Sequence, residues 1–182
     1  MQNFVHLHVH SQYSLLDGQS SIKGMVNKAV ADGMRGMALT DHGNMFGAKE
    51  LYDYCNKINK ERKENGQEPF KPIFGCEMYV ARNGDKTIRE SKEDQSGWHL
   101  IVLAKNLTGY HNLIKLVSRA WVDGFYMRPR TDHKDLEKYH EGLIVCSACI
   151  GGEVPKKILN GDINGAEETI KWVHNIWGDD YY

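Results

Sequence analysis

The sequence predicts an α/β fold, of barrel type rather than an open doubly wound sheet, and two observations predict it. Short apolar runs alternate with longer helical stretches along the whole chain, the pattern of strand and helix units joined by right-handed crossovers. Chemically active side chains then recur where the apolar runs end, and strand ends are where barrel sites are built. The sheet expected from this alternation is mainly parallel.

Residues 4–9 alternate with period two, which predicts a strand with Val5, Leu7 and Val9 on one face and His6, His8 and His10 on the other. A helix follows from about Ser21, with Ile22, Met25, Val26, Ala29 and Val30 at helical spacing and Ser20 or Ser21 as its N-cap. A second strand, 36–40, stops at Asp41-His42-Gly43. A second helix runs over about 47–64, with Gly66 suited to end it. The third strand, about 72–80, carries Glu77, and the polar stretch 82–97 reads as an exposed loop. A fourth strand, 99–104, leads to a helix capped by Thr108, with Leu113, Leu116, Val117 and Ala120 facing inward. The stretch 119–130 interleaves Arg119, Arg128 and Arg130 with aromatic residues and reads as a solvated loop. A fifth strand, 143–147, precedes Cys149 and a helix near Glu153, and 164–177 is amphipathic through Ala166, Ile170, Val173 and Trp177. Tyr181-Tyr182 reads as the start of a sixth strand. Residues 1–182 are therefore expected to form one domain, truncated after about five to six strands and incomplete at its C-terminal end.

Composition narrows the function classes. Apolar residues make up 41% and charged residues 26% of the 182 positions, with a formal net charge of −1. The surface as a whole is then no magnet for nucleic acid, and DNA contact needs a local basic patch or other domains. The N-terminus lacks the features of an export signal, and no apolar stretch approaches the roughly 20 residues that span a membrane. Cys55, Cys76, Cys146 and Cys149 read as thiols or ligands rather than disulfides, and the expected compartment is the cytoplasm.

Histidine is the anomaly. Of nine histidines, His6, His8, His10, His42 and His99 all lie beside apolar runs. Alternation puts His8 and His10 on one strand face, roughly 6 to 7 Å apart, where both can grip one metal ion. Asp17 sits in an Asp-Gly turn. Asp41, beside His42 at a strand end, can ligate metal, orient a ligand or cap the next helix. Glu77 lies inside an apolar strand, where a carboxylate is costly unless it is paired or bound to metal. In Cys146-Ser-Ala-Cys149, the absence of a second C-x-x-C excludes a closed four-cysteine zinc site. Cys146 reads as core and Cys149 as facing the other ligands. His111, His133, His140 and His174 read as surface or local capping residues.

Six motifs in order carry a family resemblance: F-V-H-L-H-V-H-S, S-L-L-D-G, A-L-T-D-H-G-N-M-F-G, K-P-I-F-G-C-E, H-L-I-V-L-A-K-N-L-T-G-Y and S-A-C-I-G-G-E-V-P. Together they resemble the PHP (polymerase and histidinol phosphatase) domain at the start of bacterial DNA polymerase III alpha subunits, over essentially the whole chain. The resemblance implies a distorted seven-stranded β/α barrel with up to three divalent metal ions, zinc or manganese, at one mouth. It implies that His8 and His10 share one metal with Glu77, that Glu77, His99 and Cys149 hold a second, and that Asp17 and His42 hold part of a third. His6 and Asp41 are expected to support these ligands from outside the coordination shell. The family's late Asp-x-His motif is expected beyond Tyr182.

The function so implied is a metal-dependent phosphoesterase site, acting as a 3′→5′ proofreading exonuclease, in a parent chain that is a DNA-directed DNA polymerase. The implied partners are DNA, other replicase subunits, a separate proofreading exonuclease subunit and the sliding clamp. Two other readings stand beside it. The domain can be a non-catalytic structural and docking module, or a stand-alone phosphatase of the histidinol phosphatase type.

Overall fold

The computed structural model describes residues 4–182. Its organising element is the long strand β2 (Lys71–Ala81), which pairs in parallel with β1 (Gly36–Leu39) and antiparallel with β3 (Gly97–Ala104). Beyond β3 lies β6 (Leu143–Cys146), antiparallel to it. On the opposite edge of β2, past the end of β1, β5 (Arg128–Thr131) pairs in parallel and itself carries the short β4 (Phe125–Tyr126). The sheet is open, with β4 and β6 at the ends of its order, as a partial barrel requires. It is mixed rather than mainly parallel, which corrects the expectation. Between β2 and β3 the chain forms no α-helix, only the short 3-10 turn Lys92–Gln95, so the connection lacks the helix that usually carries a chain back to a parallel start.

Period two sorts the strand residues between two faces. Met37 and Leu39 turn outward against α1 (Ile22–Ala31) and α2 (Ala48–Glu64), forming one core with Ile22, Val26, Leu51 and Cys55. Cys76, Met78, Val80 and Val102 turn outward against α3 (Leu107–Val122), α4 (His133–Lys138) and α6 (Ile163–Trp177), with Leu113, Leu116, Leu136, Val173 and Trp177. The inner face holds a smaller cluster of Ala38, Ile101 and Leu103, with Ile73, Ile144 and Cys146 against it. Glu77 pairs with Ile101 across β2 and β3 and shares this inner face. The sheet therefore presents one carboxylate to an otherwise apolar concavity.

Helix boundaries follow local chemistry. Ser21 caps α1 by accepting from Gly24 N, as expected, and Gly66, at φ 65°, ends the α2 segment in the left-handed conformation that favours glycine. The cap of α3 is Asn106, whose side chain accepts from Gly109 N, and not Thr108. Asparagine is a stronger N-cap than threonine. In α6, Ala166, Val173 and Trp177 are buried as expected, whereas Ile170 is exposed. Tyr181 forms an isolated parallel bridge to Val145 of β6.

Three departures matter for the site. Residues 4–9 run beside β1 without forming a regular strand: His6 O accepts from Ala38 N, and Val9 O accepts from Thr40 N. Three steps along this segment thus match two along β1. The extra residue bulges and breaks the alternation, leaving Leu7 exposed at 43%.

The stretch 119–130 is no solvated loop either, since it comprises the end of α3 followed by β4 and β5. Arg130 is fully buried and donates to the carbonyls of Gly124, Lys86 and Ile88. Nor is 82–97 wholly exposed. Lys86 is buried with its Nζ 2.9 Å from both Asp132 and Asp135, and Asp94 is buried under Asn83 and Ser91. Polar composition concealed these anchors because Lys86 finds its carboxylates, and Arg130 its carbonyl acceptors, far away in sequence. Finally, α5 (Glu153–Leu159) packs on α6 next to the site.

Candidate metal centre

Glu77 is the centre of the site, with 2% of its side chain exposed. Its backbone position is fixed by two hydrogen bonds with the segment that follows β1: Glu77 N donates to Asp41 O at 3.1 Å, and Gly43 N donates to Glu77 O at 2.9 Å. This pairing sets His42 beside Glu77. Gly43 adopts φ 61°, and a side chain there would meet Pro129 at 2.5 Å, so only glycine lets the chain pass. The N-terminal segment is tied in by Thr40, whose Oγ1 accepts from Val9 N at 2.8 Å, and this brings His8 and His10 over the carboxylate. From the other side, His99 of β3 donates its backbone N–H to Gly151 O at 3.0 Å and so holds the turn carrying Cys149.

The side chains then converge. Glu77 Oε2 lies 2.7 Å from His8 Nε2 and 3.7 Å from His10 Nε2. Its Oε1 lies 2.6 Å from His42 Nδ1 and 3.4 Å from His99 Nδ1. Cys149 Sγ is 3.4 Å from His99 Nδ1. The ligand atoms of His8, His10 and Glu77 fall within 4.8 Å of one another, as do those of Glu77, His99 and Cys149. One carboxylate thus belongs to two donor groups. Asp17 reaches His42 Nε2 through Oδ2, extending the cluster outward. The rings of His8 and His10 meet, with ring nitrogens 3.0 Å apart and ring centroids 4.9 Å apart.

The electrostatics fit cation binding. Burial pushes the Glu77 carboxyl up, but hydrogen bonds from His10, His42, His8 and His99 outweigh it and hold the group well below the usual carboxylate range. Its hydrogen bond to Glu77 raises His42, against the opposing effect of burial, and Asp17 adds to the rise. Asp17 is lowered in turn, chiefly by its bond to His42. Two imidazole nitrogens 3.0 Å apart face each other comfortably only with a proton or a cation between them. A buried carboxylate, clustered imidazoles and a thiol form a donor set that zinc accepts, and imidazole with carboxylate also suits neighbouring divalent metals.

Asp41 supports this cluster rather than joining it. Fully buried, it accepts from Ser11 N at 2.6 Å, Ser11 Oγ at 2.7 Å and Ser14 Oγ at 2.7 Å. Ser14 Oγ in turn lies 3.0 Å from His10 Nδ1 and accepts from His42 N at 3.1 Å. Asp41 caps no helix, since the N-cap of α2 is Gly47. His6 is exposed, its ring set edge-on against Phe4 at 4.7 Å, and no side-chain hydrogen bond joins it to the cluster among the described residues. Sequence reasoning missed Ser11 and Ser14; the signal available was one serine directly after the H-x-H and another three residues on, residues that favour turns. Because such outer partners orient ligands, Asp41→Asn is expected to weaken divalent-metal affinity by about 10- to 100-fold. Metal titration with a competing chelator reads this directly, and Ser14→Ala tests whether the effect passes through that hydroxyl.

The turn bearing Cys149 is anchored below by Glu153, which bonds Lys157 at 2.8 Å, Thr169 at 3.1 Å and His133 at 3.3 Å. His133 also stacks on Trp172 at 4.0 Å, so this surface residue packs as well, with 37% of its side chain exposed. Burial raises the Glu153 carboxyl, but His133 and Lys157 prevail and bring it down to about 2 from 4.5. Its contribution to stability is therefore complete above about pH 4.5 and lost as the pH falls toward 2. Glu153→Gln is expected to flatten the acid limb of the thermal stability curve over that window, as measured by circular dichroism melts against pH.

These donors define the class of the molecule: an α/β domain whose inner sheet face carries a clustered histidine, carboxylate and thiol site suited to divalent cations. The chain belongs to the PHP domain family, whose pattern matches residues 6–182. It is 47% identical over 179 residues to the DNA polymerase III subunit alpha of Borreliella burgdorferi, covering 98% of this chain and 15% of that protein. It is 44% identical over 180 residues to the same subunit of Treponema pallidum, covering 99% of this chain and 14% of the relative. With that of Deinococcus radiodurans it shares 38% over 189 residues, 13% of the relative. The chain thus spans about one seventh of these relatives' length. A solved structure from Bifidobacterium adolescentis, described as that of a candidate metal-dependent phosphoesterase, aligns with a TM-score of 0.40 and 18% identity, covering 66% of this chain and 34% of that one. That likeness is too distant to inform the site. No helix among the described residues is long and apolar enough to cross a membrane.

Proposed function

We propose that this chain is the PHP domain of a bacterial DNA polymerase III alpha subunit and that its centre is a phosphoesterase site, hydrolysing the terminal phosphodiester of a DNA strand in the 3′→5′ direction. The observation that carries the reading is Glu77, a buried carboxylate common to two donor groups. His8, His10 and Glu77 would hold one divalent ion, Glu77, His99 and Cys149 a second, and Asp17 with His42 part of a third, with zinc or manganese the metals suited to them. When bound, clustered divalent ions neutralise charge on phosphoryl oxygens and acidify water.

The chain's own residues supply the rest. Glu77 stays ionised at neutral pH and offers the cluster a fixed anion. Asp41 and Ser14 fix the rotation of His10, and Asp17 and Glu77 clamp His42 from its two ring nitrogens. Nucleotidyl transfer falls to other parts of the parent polymerase, which would bring the DNA, the remaining replicase subunits, a separate proofreading exonuclease subunit and the sliding clamp as partners.

The test is hydrolysis of a 5′-labelled single strand by the purified protein, with metal content measured in parallel. Stepwise shortening from the 3′ end that requires Mn²⁺ or Zn²⁺ and vanishes in His99→Ala supports the reading. Stoichiometric metal without hydrolysis would instead support a structural centre in a docking module.

A further inference from the structure

Beside the metal centre, three aromatic side chains stand in the open. Phe46, Trp121 and Phe125 are 60%, 40% and 43% exposed. Trp121 stacks on Phe125 with centroids 5.4 Å apart and planes 16° apart, and lies 6.1 Å from Phe46. Single exposed apolar residues are ordinary, whereas rings exposed together in a stacked set are the kind of surface a ligand uses.

The set is joined to the site by backbone. Trp121 Nε1 donates to Gly43 O at 2.8 Å, and Gly43 follows His42 directly. Phe46 is held by Asn44, whose Oδ1 accepts from Phe46 N at 3.1 Å and whose Nδ2 donates to His42 O at 2.9 Å. One short loop, 42–46, therefore carries both a candidate ligand and the first ring of the stack. Arg128 lies toward the metal centre: it is exposed, sits over the ring of Tyr79 at 5.7 Å, and has no carboxylate partner among the described residues. Tyr79 in turn lies 5.2 Å from the ring of His99.

A ligand complementary to this surface has flat π faces for the rings and an anionic backbone for Arg128 and the metal centre. We infer that Phe46, Trp121 and Phe125 form a stacking platform for the unpaired bases of a nucleic-acid strand, with Arg128 on its phosphates and its terminal phosphodiester directed to the metal centre. The inference deepens the phosphoesterase reading and rests on it only for the direction of the strand.

Binding is measured by fluorescence anisotropy with a labelled short oligothymidylate and an abasic strand of equal length, in EDTA so that hydrolysis plays no part. The wild-type protein is expected to prefer the strand with bases. Trp121→Ala and Phe125→Ala should each weaken it by about tenfold or more while leaving the abasic strand unaffected. Trp121→Phe should restore most of the affinity, which separates stacking from damage to the fold, and melting curves check the variants independently. Arg128→Ala should weaken both strands alike and reduce the salt slope by about 1. Equal affinity for the two strands, or base-strand affinity unchanged in Phe46→Ala and Phe125→Ala, overturns the platform. So does a change in self-association in those variants without a change in strand binding, which would make the face a protein interface. Base-dependent binding by a protein that fails to hydrolyse the strand with Mn²⁺ would remove the phosphoesterase reading and leave the platform standing.

Discussion

Glu77→Gln is expected to lower divalent-metal affinity at least a hundredfold at both donor groups together. Glu77 is the only residue common to His8, His10, Glu77 and to Glu77, His99, Cys149, and the substitution removes the anion while keeping its volume. The contrast with single ligands makes the prediction specific. His10→Ala should impair one group and Cys149→Ser the other, each leaving about half of the bound metal. Isothermal titration with Zn²⁺ or Mn²⁺, with metal content after dialysis, distinguishes the three variants. Two independent sites would instead give Glu77→Gln the same partial loss as its neighbours.

Arg130→Ala is expected to have the largest effect on stability, about 4 kcal/mol, by leaving the carbonyls of Lys86 and Ile88 without their donor at roughly 1 to 3 kcal/mol each, while Gly124 O keeps its bond from Arg130 N. The guanidinium donates to Gly124 O at 3.1 Å, Lys86 O at 2.6 Å and Ile88 O at 3.0 Å. It thereby ties β5 to the loop after β2 and to the turn after α3. For a domain of this size the change corresponds to a drop in Tm of about 8 to 16 °C. Arg130→Lys should recover only part of it, because a single ammonium lacks the planar fork that reaches three acceptors. A thermal melt in which Arg130→Ala loses less than about 3 °C would show that water satisfies those carbonyls.

What the sequence made legible, and what it hid, divides along a physical line. The regular elements with strong apolar patterning were readable: α1 with its Ser21 cap, α2 ending at Gly66, and β2, β3 and β6 as apolar runs. Glu77 was conspicuous because a carboxylate in such a run needs a partner, and the partners stood at other strand ends. Register was not readable. The bulge between His6 and Val9 depends on the pairing with Ala38 and Thr40, and it breaks the alternation that set His6 on one face with His8 and His10. The regions 82–97 and 119–130 were hidden for a related reason. Lys86 and Arg130 look like solvated charges until the Asp132 carboxylate and the Lys86 carbonyl, more than forty residues away, are brought alongside them. Burial of charge is a property of pairs, and single residues do not announce it.

The account depends on side chains from separate strands gripping the same ions. Crystals of the protein grown with Mn²⁺ or Zn²⁺, measured at the metal's absorption edge, test this most directly. The predicted result is anomalous density in contact with Glu77, flanked by His8 and His10 on one side and by His99 and Cys149 on the other, with Zn–N near 2.0 to 2.1 Å and Zn–S near 2.3 Å. Full soaking without density at Glu77, or metal bound only at other surface residues, would contradict it.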